Sequence, residues 1–250
     1  MIELYRISAG YGRKTVLKDV SAAFEKGKLT VIIGVNGCGK STLLKTILGI
    51  VPASSGDITI DGTPLREMSR NDIARRIAYL SQGKSTPEMT VEQLVLHGRF
   101  PHLSYPRRYA KRDYEIAVEA MEQVGIAQYA NKPLHTLSGG MRQNAYIAMT
   151  LAQKTDYVFL DEPTTYLDIA HQLELMNMLR KLADGGKGVV TVMHDLPLAF
   201  TFSDRILLIN EGEVVCDGLP EKVCEENAVK QIFGIALNRS EDGRSYRYQY

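Results

Sequence analysis

Gly34-Val35-Asn36-Gly37-Cys38-Gly39-Lys40-Ser41-Thr42 follows the apolar run Leu29-Thr30-Val31-Ile32-Ile33 and leads into Leu43-Leu44-Lys45-Thr46-Ile47-Leu48, which reads as a helix. Strand, glycine-rich turn and helix start in that order predict a phosphate cradle. Glycines at 34, 37 and 39 lack the Cβ atoms that would keep backbone N–H groups from wrapping an anion, and the helix that follows aims its positive dipole end at the same point. Asn36 and Cys38 belong to the loop, Cys38 as a small residue. Lys40 is expected to reach the β and γ phosphates, Ser41 to offer its hydroxyl to Mg²⁺, and Thr42 to donate to the α phosphate. The segment predicts binding of ATP or GTP.

The 250 residues suffice for a full core, as one domain with an inserted subdomain or as two small domains. With 44% hydrophobic and 24% charged residues the composition is that of an ordinary globular protein. Thirty basic against 29 acidic residues give a net charge of +1, which argues against a protein that coats nucleic acid by counterion release. Cys38, Cys216 and Cys224 are odd in number and lack metal or redox spacing, so reduced thiols in the cytosol are expected. Met1 to Arg6 carry no apolar signal core, and the longest apolar stretches fall short of the roughly 18 residues of a membrane helix, so a chain that does not itself span a membrane is expected.

The first third reads as strands: Ile2 to Tyr5, Val16 to Phe24, Leu29 to Ile33, and Asp57 to Ile60 closing on Asp61-Gly62. From about Val91 to Gln153 the apolar spacing becomes helical, through Leu94, Val95, Ile116, Ala117, Ala120, Met121, Val124, Ala145, Ile147, Ala148 and Leu151. Strand and helix alternation then resumes, with strands at Tyr157 to Leu160, Gly188 to Met193 and Arg205 to Ile209, a helix from about Ala170 to Leu182, and a hairpin through Glu211-Gly212. The pattern predicts an α/β fold with a mainly parallel sheet. The polar, tyrosine-bearing tail from Asn238 to Tyr250 is expected to form an edge strand or to fray.

Val158-Phe159-Leu160 delivers Asp161-Glu162 at a strand end, where open parallel sheets place ligand-facing groups. Asp161 is placed to hold the hydration shell of Mg²⁺, and Glu162 to polarise the water that attacks the γ phosphate. His194 ends the apolar run Val189 to Met193, so it should emerge at the same sheet edge as a γ-phosphate contact. Gln82, just after Ala78-Tyr79-Leu80-Ser81, is placed to ligate Mg²⁺ through its side-chain carbonyl and to report the γ phosphate to the helical region.

Leu137-Ser138-Gly139-Gly140-Met141-Arg142-Gln143 opens a helix upstream of Asp161, with Ser138 as N-cap and two glycines exposing N–H groups. This segment resembles the signature of the ABC ATPases, and the other motifs follow in that family's order along the whole chain. The resemblance implies the ABC ATPase fold: a P-loop NTPase core, an antiparallel β subdomain and an inserted helical subdomain. It implies a single domain over 1–250, with the nucleotide-binding core at 1–86 and 154–250 and the helical subdomain with its signature at 87–153. It further implies head-to-tail pairing, in which Ser138, Gly139 and Gly140 of one subunit close on the nucleotide held by the other. Asp168 matches the family loop that crosses this interface and is equally placed to cap the helix that follows it. Tyr11 in Gly10-Tyr11-Gly12 matches the aromatic that stacks on adenine, or is an exposed turn tyrosine.

Pro163-Thr164-Thr165-Tyr166-Leu167-Asp168-Ile169-Ala170-His171-Gln172, Thr90 to Val95 and Gly98-Arg99-Phe100-Pro101-His102 are similar to ATPase subunits of importers for iron-siderophores, haem and cobalamin. That likeness implies ATP hydrolysis with Mg²⁺, a homodimer in the assembled transporter, integral membrane permease subunits, an extracytoplasmic substrate-binding protein as indirect partner, no nucleic acid, and a peripheral place on the cytoplasmic face of the membrane. The signature departs from the family at Met141 and Asn144, which implies retained but slower hydrolysis. The run Arg99, Arg107, Arg108, Lys111 and Arg112, interleaved with Phe100, Tyr105 and Tyr109, reads as a solvated face or as a surface for anionic lipid or nucleic acid. Given the resemblance, a groove near it is expected to receive a permease helix. A soluble ABC ATPase acting on DNA or ribosomes would need coiled-coil insertions or tandem halves, and an exporter ATPase is disfavoured by the run from Tyr166 to Gln172.

Overall fold

A computed structural model describes residues 1–83, 86–165, 167–240, 243 and 245–249. Tyr166, and the tail residues Glu241, Asp242, Arg244 and Tyr250, lie outside the described residues, so the reading of those positions stays with the sequence.

One sheet is antiparallel, in the order β2 (Lys14–Phe24), β1 (Ile2–Tyr11), β4 (Ala53–Ile60) and β5 (Thr63–Pro64). The second comprises β3 (Leu29–Ile33), β6 (Ile77–Leu80), β7 (Tyr157–Asp161), β8 (Gly188–Val192), β9 (Arg205–Asn210) and β10 (Glu213–Gly218). Its spatial order is β10-β9-β3-β8-β7-β6, with every pair parallel except β10 against β9. Between the strands run α1 (Lys40–Ile47), α2 (Arg70–Arg76), α3 (Val91–His97), α4 (Lys111–Gln123), α5 (Gly139–Ala152), α6 (Ile169–Asp184) and α7 (Leu196–Phe202). The chain closes with α8 (Pro220–Glu225), α9 (Ala228–Phe233) and the hairpin β11 (Ala236–Arg239) with β12 (Tyr246–Gln249).

All five residues of β3, β7 and β8 are buried, as a central parallel strand covered on both faces requires. The period of two then divides their side chains between two cores. Val31, Ile33, Val158, Leu160, Val189, Ile206 and Leu208 pack with α3 to α7 on one face. Ile32, Phe159, Val190, Val192, Leu207 and Ile209 pack on the other with α1 and the buried face of the antiparallel sheet, including Ile2, Ile7 and Leu17. β1 instead alternates buried and exposed at its start, because one of its faces meets water.

The helices between β6 and β7 begin with a capping box: Thr90 Oγ1 accepts from Gln93 N at 3.3 Å, and Gln93 Oε1 accepts from Thr90 N at 2.9 Å. At Gly98, just past α3, a Cβ would stand 2.1 Å from the Met149 carbonyl oxygen, so only glycine lets the end of α3 lie against α5.

Several expectations shift. β1 runs on to Tyr11 and β4 starts at Ala53, with register shifts along both β1 pairings; such irregularities break the clean alternation by which a strand is recognised. The tail strand is not an edge of either main sheet. β11 and β12 pair with each other and dock on α7, where Tyr246 N donates to Thr201 Oγ1 at 3.1 Å and the Phe200 and Tyr246 rings lie 5.4 Å apart.

Arg99 also departs from its expected place in a surface basic run. It is buried, donating from Nε to Asp113 Oδ1 at 2.9 Å and from Nη1 to the Ala152 carbonyl at 2.8 Å. A guanidinium removed from water needs this much pairing, and it ties α4 to the end of α5. Arg107 stays with the aromatic cluster, its guanidinium 5.7 Å from the centre of the Phe100 ring.

Candidate functional site

The phosphate loop is held by its neighbours as much as by its own glycines. Gly34 has φ +153°, and a Cβ there would lie 2.2 Å from the Ile209 carbonyl oxygen and 2.7 Å from Cys38 Sγ. From the β9–β10 turn, Gly212 N donates to the Cys38 carbonyl at 3.0 Å, and the Gly212 carbonyl accepts from Lys18 N at 2.8 Å. β2, the β9–β10 turn and the loop are thus bonded in one row, which fixes where α1 begins. Lys40, only 5% exposed, donates from Nζ to the carbonyls of Gly34 at 2.8 Å and Val35 at 3.0 Å. Cys38 is 4% exposed with Sγ 4.0 Å from that Nζ, and burial pushes its thiol pKa up.

A cavity of about 560 Å³ opens over this loop, lined by Asn36, Gly37, Gly39, Lys40, Ser41 and Thr42 and, from the far side, by Gln82, Glu162 and His194. Glu162 follows the last residue of β7 with φ +53°, a left-handed conformation uncommon for a residue with a side chain. Its Oε2 accepts from Gln82 Nε2 at 2.5 Å, and its Oε1 lies 2.7 Å from His194 Nε2. Asp161, at the end of β7, is 3% exposed and accepts from Ser41 Oγ on Oδ1 at 3.0 Å. Burial raises its carboxyl pKa, an effect opposed by the hydrogen bonds from Ser41 and Tyr79.

Ser138, Gly140, Asp168 and Tyr11 do not line this cavity. Ser138 caps α5, accepting from Met141 N at 3.3 Å, and Gly139 lines an adjoining cavity of about 500 Å³ that shares Gln82, Glu162 and Thr165 with the first. Asp168 caps α6, with Oδ1 accepting from His171 N at 2.9 Å and lying 2.8 Å from His171 Nδ1. Tyr11 is 51% exposed at the end of β1. Asn144, one of the two departures in the signature, donates to the Val124 carbonyl at 3.1 Å, while Met141 packs against the core. Thr165, which lines both cavities, and Tyr79 were not singled out by the sequence. A polar-tipped ring in the otherwise apolar strand Ile77-Ala78-Tyr79-Leu80 is the one local sign of Tyr79.

A six-stranded mainly parallel sheet with a phosphate loop at the end of β3 and acids at the end of β7 is the arrangement of a P-loop NTPase. The sequence profile described as ABC transporter matches residues 17–165. The chain belongs to the ABC transporter family. It is 39% identical over 243 residues to a petrobactin import ATP-binding protein of Bacillus anthracis, covering 96% of this chain and 89% of that one. It is 41% identical over 242 residues to the iron(3+)-hydroxamate import ATP-binding protein of Bacillus subtilis, covering 96% and 90%. Among solved structures, the dimeric bacterial ABC transporter cassette MJ0796 matches with a TM-score of 0.77 and 27% identity over 88% of this chain and 99% of that one.

Proposed function

We propose that the protein is the ATP-hydrolysing subunit that energises an ABC importer of iron(III)-siderophores. The observation that carries the catalytic part is the row Gln82, Glu162 and His194 facing Lys40 and Ser41 across one cavity. In this reading Lys40 leaves the loop carbonyls for the β and γ phosphates, the amides of residues 36 to 42 cradle the rest, and Glu162 takes the proton of the attacking water. His194 orients Glu162 and contacts the γ phosphate. Tyr11 stacks on adenine.

Mg²⁺ fits the donor set, because Ser41 Oγ and the buried Asp161 carboxylate stand 3.0 Å apart and both offer the hard oxygens this ion takes. Gln82, whose amide nitrogen faces Glu162, would turn its oxygen toward the ion. When bound, the ion neutralises charge between the β and γ phosphates. Everything else is the chain's own work: Asp161 and Ser41 orient, Lys40 binds and Glu162 moves the proton.

Ser138, Gly140 and Asp168 do not line the cavity of their own chain, and Gly139 lines only the cavity that adjoins it, which suits contacts made across a homodimer to the partner's nucleotide. In this reading residues 87–153 form the helical subdomain that carries this surface, permease subunits receive the motion, and the substrate-binding protein acts through them. Among the described residues no helix is long and apolar enough to cross a membrane. Attachment through a permease on the cytoplasmic face is the proposed location, supported by the relatives named as import ATP-binding proteins. Siderophore rather than haem or cobalamin is favoured because the relatives above are named for petrobactin and iron(3+)-hydroxamate import. The test is hydrolysis by the chain co-purified with its permease in vesicles, with binding protein loaded in turn with ferric siderophore, haem or cobalamin. Stimulation by the ferric siderophore supports the reading, and stimulation by another cargo alone replaces it.

A further inference from the structure

Asp161 has two carboxylate oxygens and almost no contact with water, so the way each oxygen is satisfied decides the plane in which the group lies. Ser41 Oγ donates to Oδ1 at 3.0 Å. The second donor is Tyr79, whose hydroxyl donates to Oδ2 at 3.2 Å. Tyr79 reaches it from β6, the strand paired in parallel with β7, where Tyr79 stands opposite Phe159. A carboxylate held by one donor turns over a broad torsional range about its last bond, whereas one held on both oxygens by different elements does not.

We propose that Tyr79 is a positioning residue of the hydrolytic site, its hydroxyl setting the plane of the Asp161 carboxylate so that Oδ1 faces Ser41 and the nucleotide-borne Mg²⁺. This rests on the reading that Asp161 and Ser41 hold the ion's shell. The residue has two separable parts. Tyr79 packs against the core that includes Phe159 and, with Leu48, Ile50, Ile73 and Gln153, lines a groove of about 350 Å³, while its hydroxyl donates to the acid. Tyr79→Phe therefore keeps the wall of the groove and removes the bond.

The experiment measures binding of a fluorescent ATP analogue, in EDTA and across a Mg²⁺ titration, for the parent, Tyr79→Phe, Asp161→Asn and the double variant, beside thermal melts and steady-state hydrolysis. Tyr79→Phe should bind nucleotide like the parent in EDTA, require about tenfold more Mg²⁺ for the same tightening, and show a KM for the Mg-nucleotide raised by a similar factor. In the Asp161→Asn background the same change should have no further effect on the Mg²⁺ requirement. An unaltered Mg²⁺ requirement in Tyr79→Phe, with the parent responding to Mg²⁺, overturns the positioning role alone. A Mg²⁺ effect of Tyr79→Phe that persists undiminished beside Asp161→Asn, or a melting loss that accounts for it, likewise overturns it by marking a packing role. A parent whose nucleotide binding ignores Mg²⁺ overturns the underlying reading of Asp161 and Ser41 as well.

Discussion

Oε1 of Glu162 lies 2.7 Å from Nε2 of His194, 32 positions away in the chain. β7 and β8 are parallel neighbours, so their ends bring the two side chains to one sheet edge, and the left-handed backbone at Glu162 turns its carboxylate into the cavity.

Removing that carboxylate should separate binding from chemistry. Glu162→Gln is expected to lower ATP hydrolysis by about 10²-fold or more, the range of a positioned general base, while a fluorescent ATP analogue still binds. His194→Ala should fall by a smaller factor. Phosphate release and fluorescence titration on the same preparations check both, and light scattering of Glu162→Gln with and without MgATP tests closure into a dimer. A hydrolysis rate unchanged in Glu162→Gln would assign the base elsewhere.

The loop tolerates no side chain at Gly34. Gly34→Ala places a Cβ 2.2 Å from the Ile209 carbonyl in a backbone region that disfavours it, so a loss of about 2 kcal/mol or more is expected in urea melts, together with weakened nucleotide binding. Lys40→Ala should instead lose binding at least about tenfold with little loss of stability, because two exchangeable carbonyl contacts rather than a carboxylate partner are given up.

Arg99 and Arg107 differ only in structure, not in kind. Arg99→Ala leaves Asp113 without its partner in a buried site and is expected to cost about 3 kcal/mol or more, read by denaturant unfolding. Charge reversal at Arg107 and Arg108 should leave stability within about 0.5 kcal/mol and instead reduce co-purification with the permease.

Asp61 predicts a pH limit on stability. Partial burial works to raise its pKa, but hydrogen bonds from the Met1 amine and the Tyr157 hydroxyl and the Lys26 ammonium at 3.2 Å hold it down to about 2. A carboxyl whose folded pKa lies below its unfolded value near 3.8 stabilises above that value, and the gain disappears as the pH falls through about 2. After screening at this partly exposed site the contribution is about 1 kcal/mol. Asp61→Asn should flatten the fall in urea stability between roughly pH 4.5 and 1.5 by that amount.

What the chain determines locally was open to reading without coordinates. The phosphate loop, the acids after an apolar strand, the Ser138 and Asp168 caps and the two-residue turn at Glu211-Gly212 each depend on residues within a few positions, and period and turn chemistry act over that range. Tertiary structure decided the rest. Arg99 looks like its basic neighbours until the approach of α4 and α5 removes it from water. Tyr79 and Asp161 meet across 82 positions because β6 is the strand that pairs with β7. The tail folds on itself because α7 offers it Phe200 and Thr201. No local pattern names a strand's lateral neighbour; that choice belongs to the packing of both cores at once, and with it the geometry of the site.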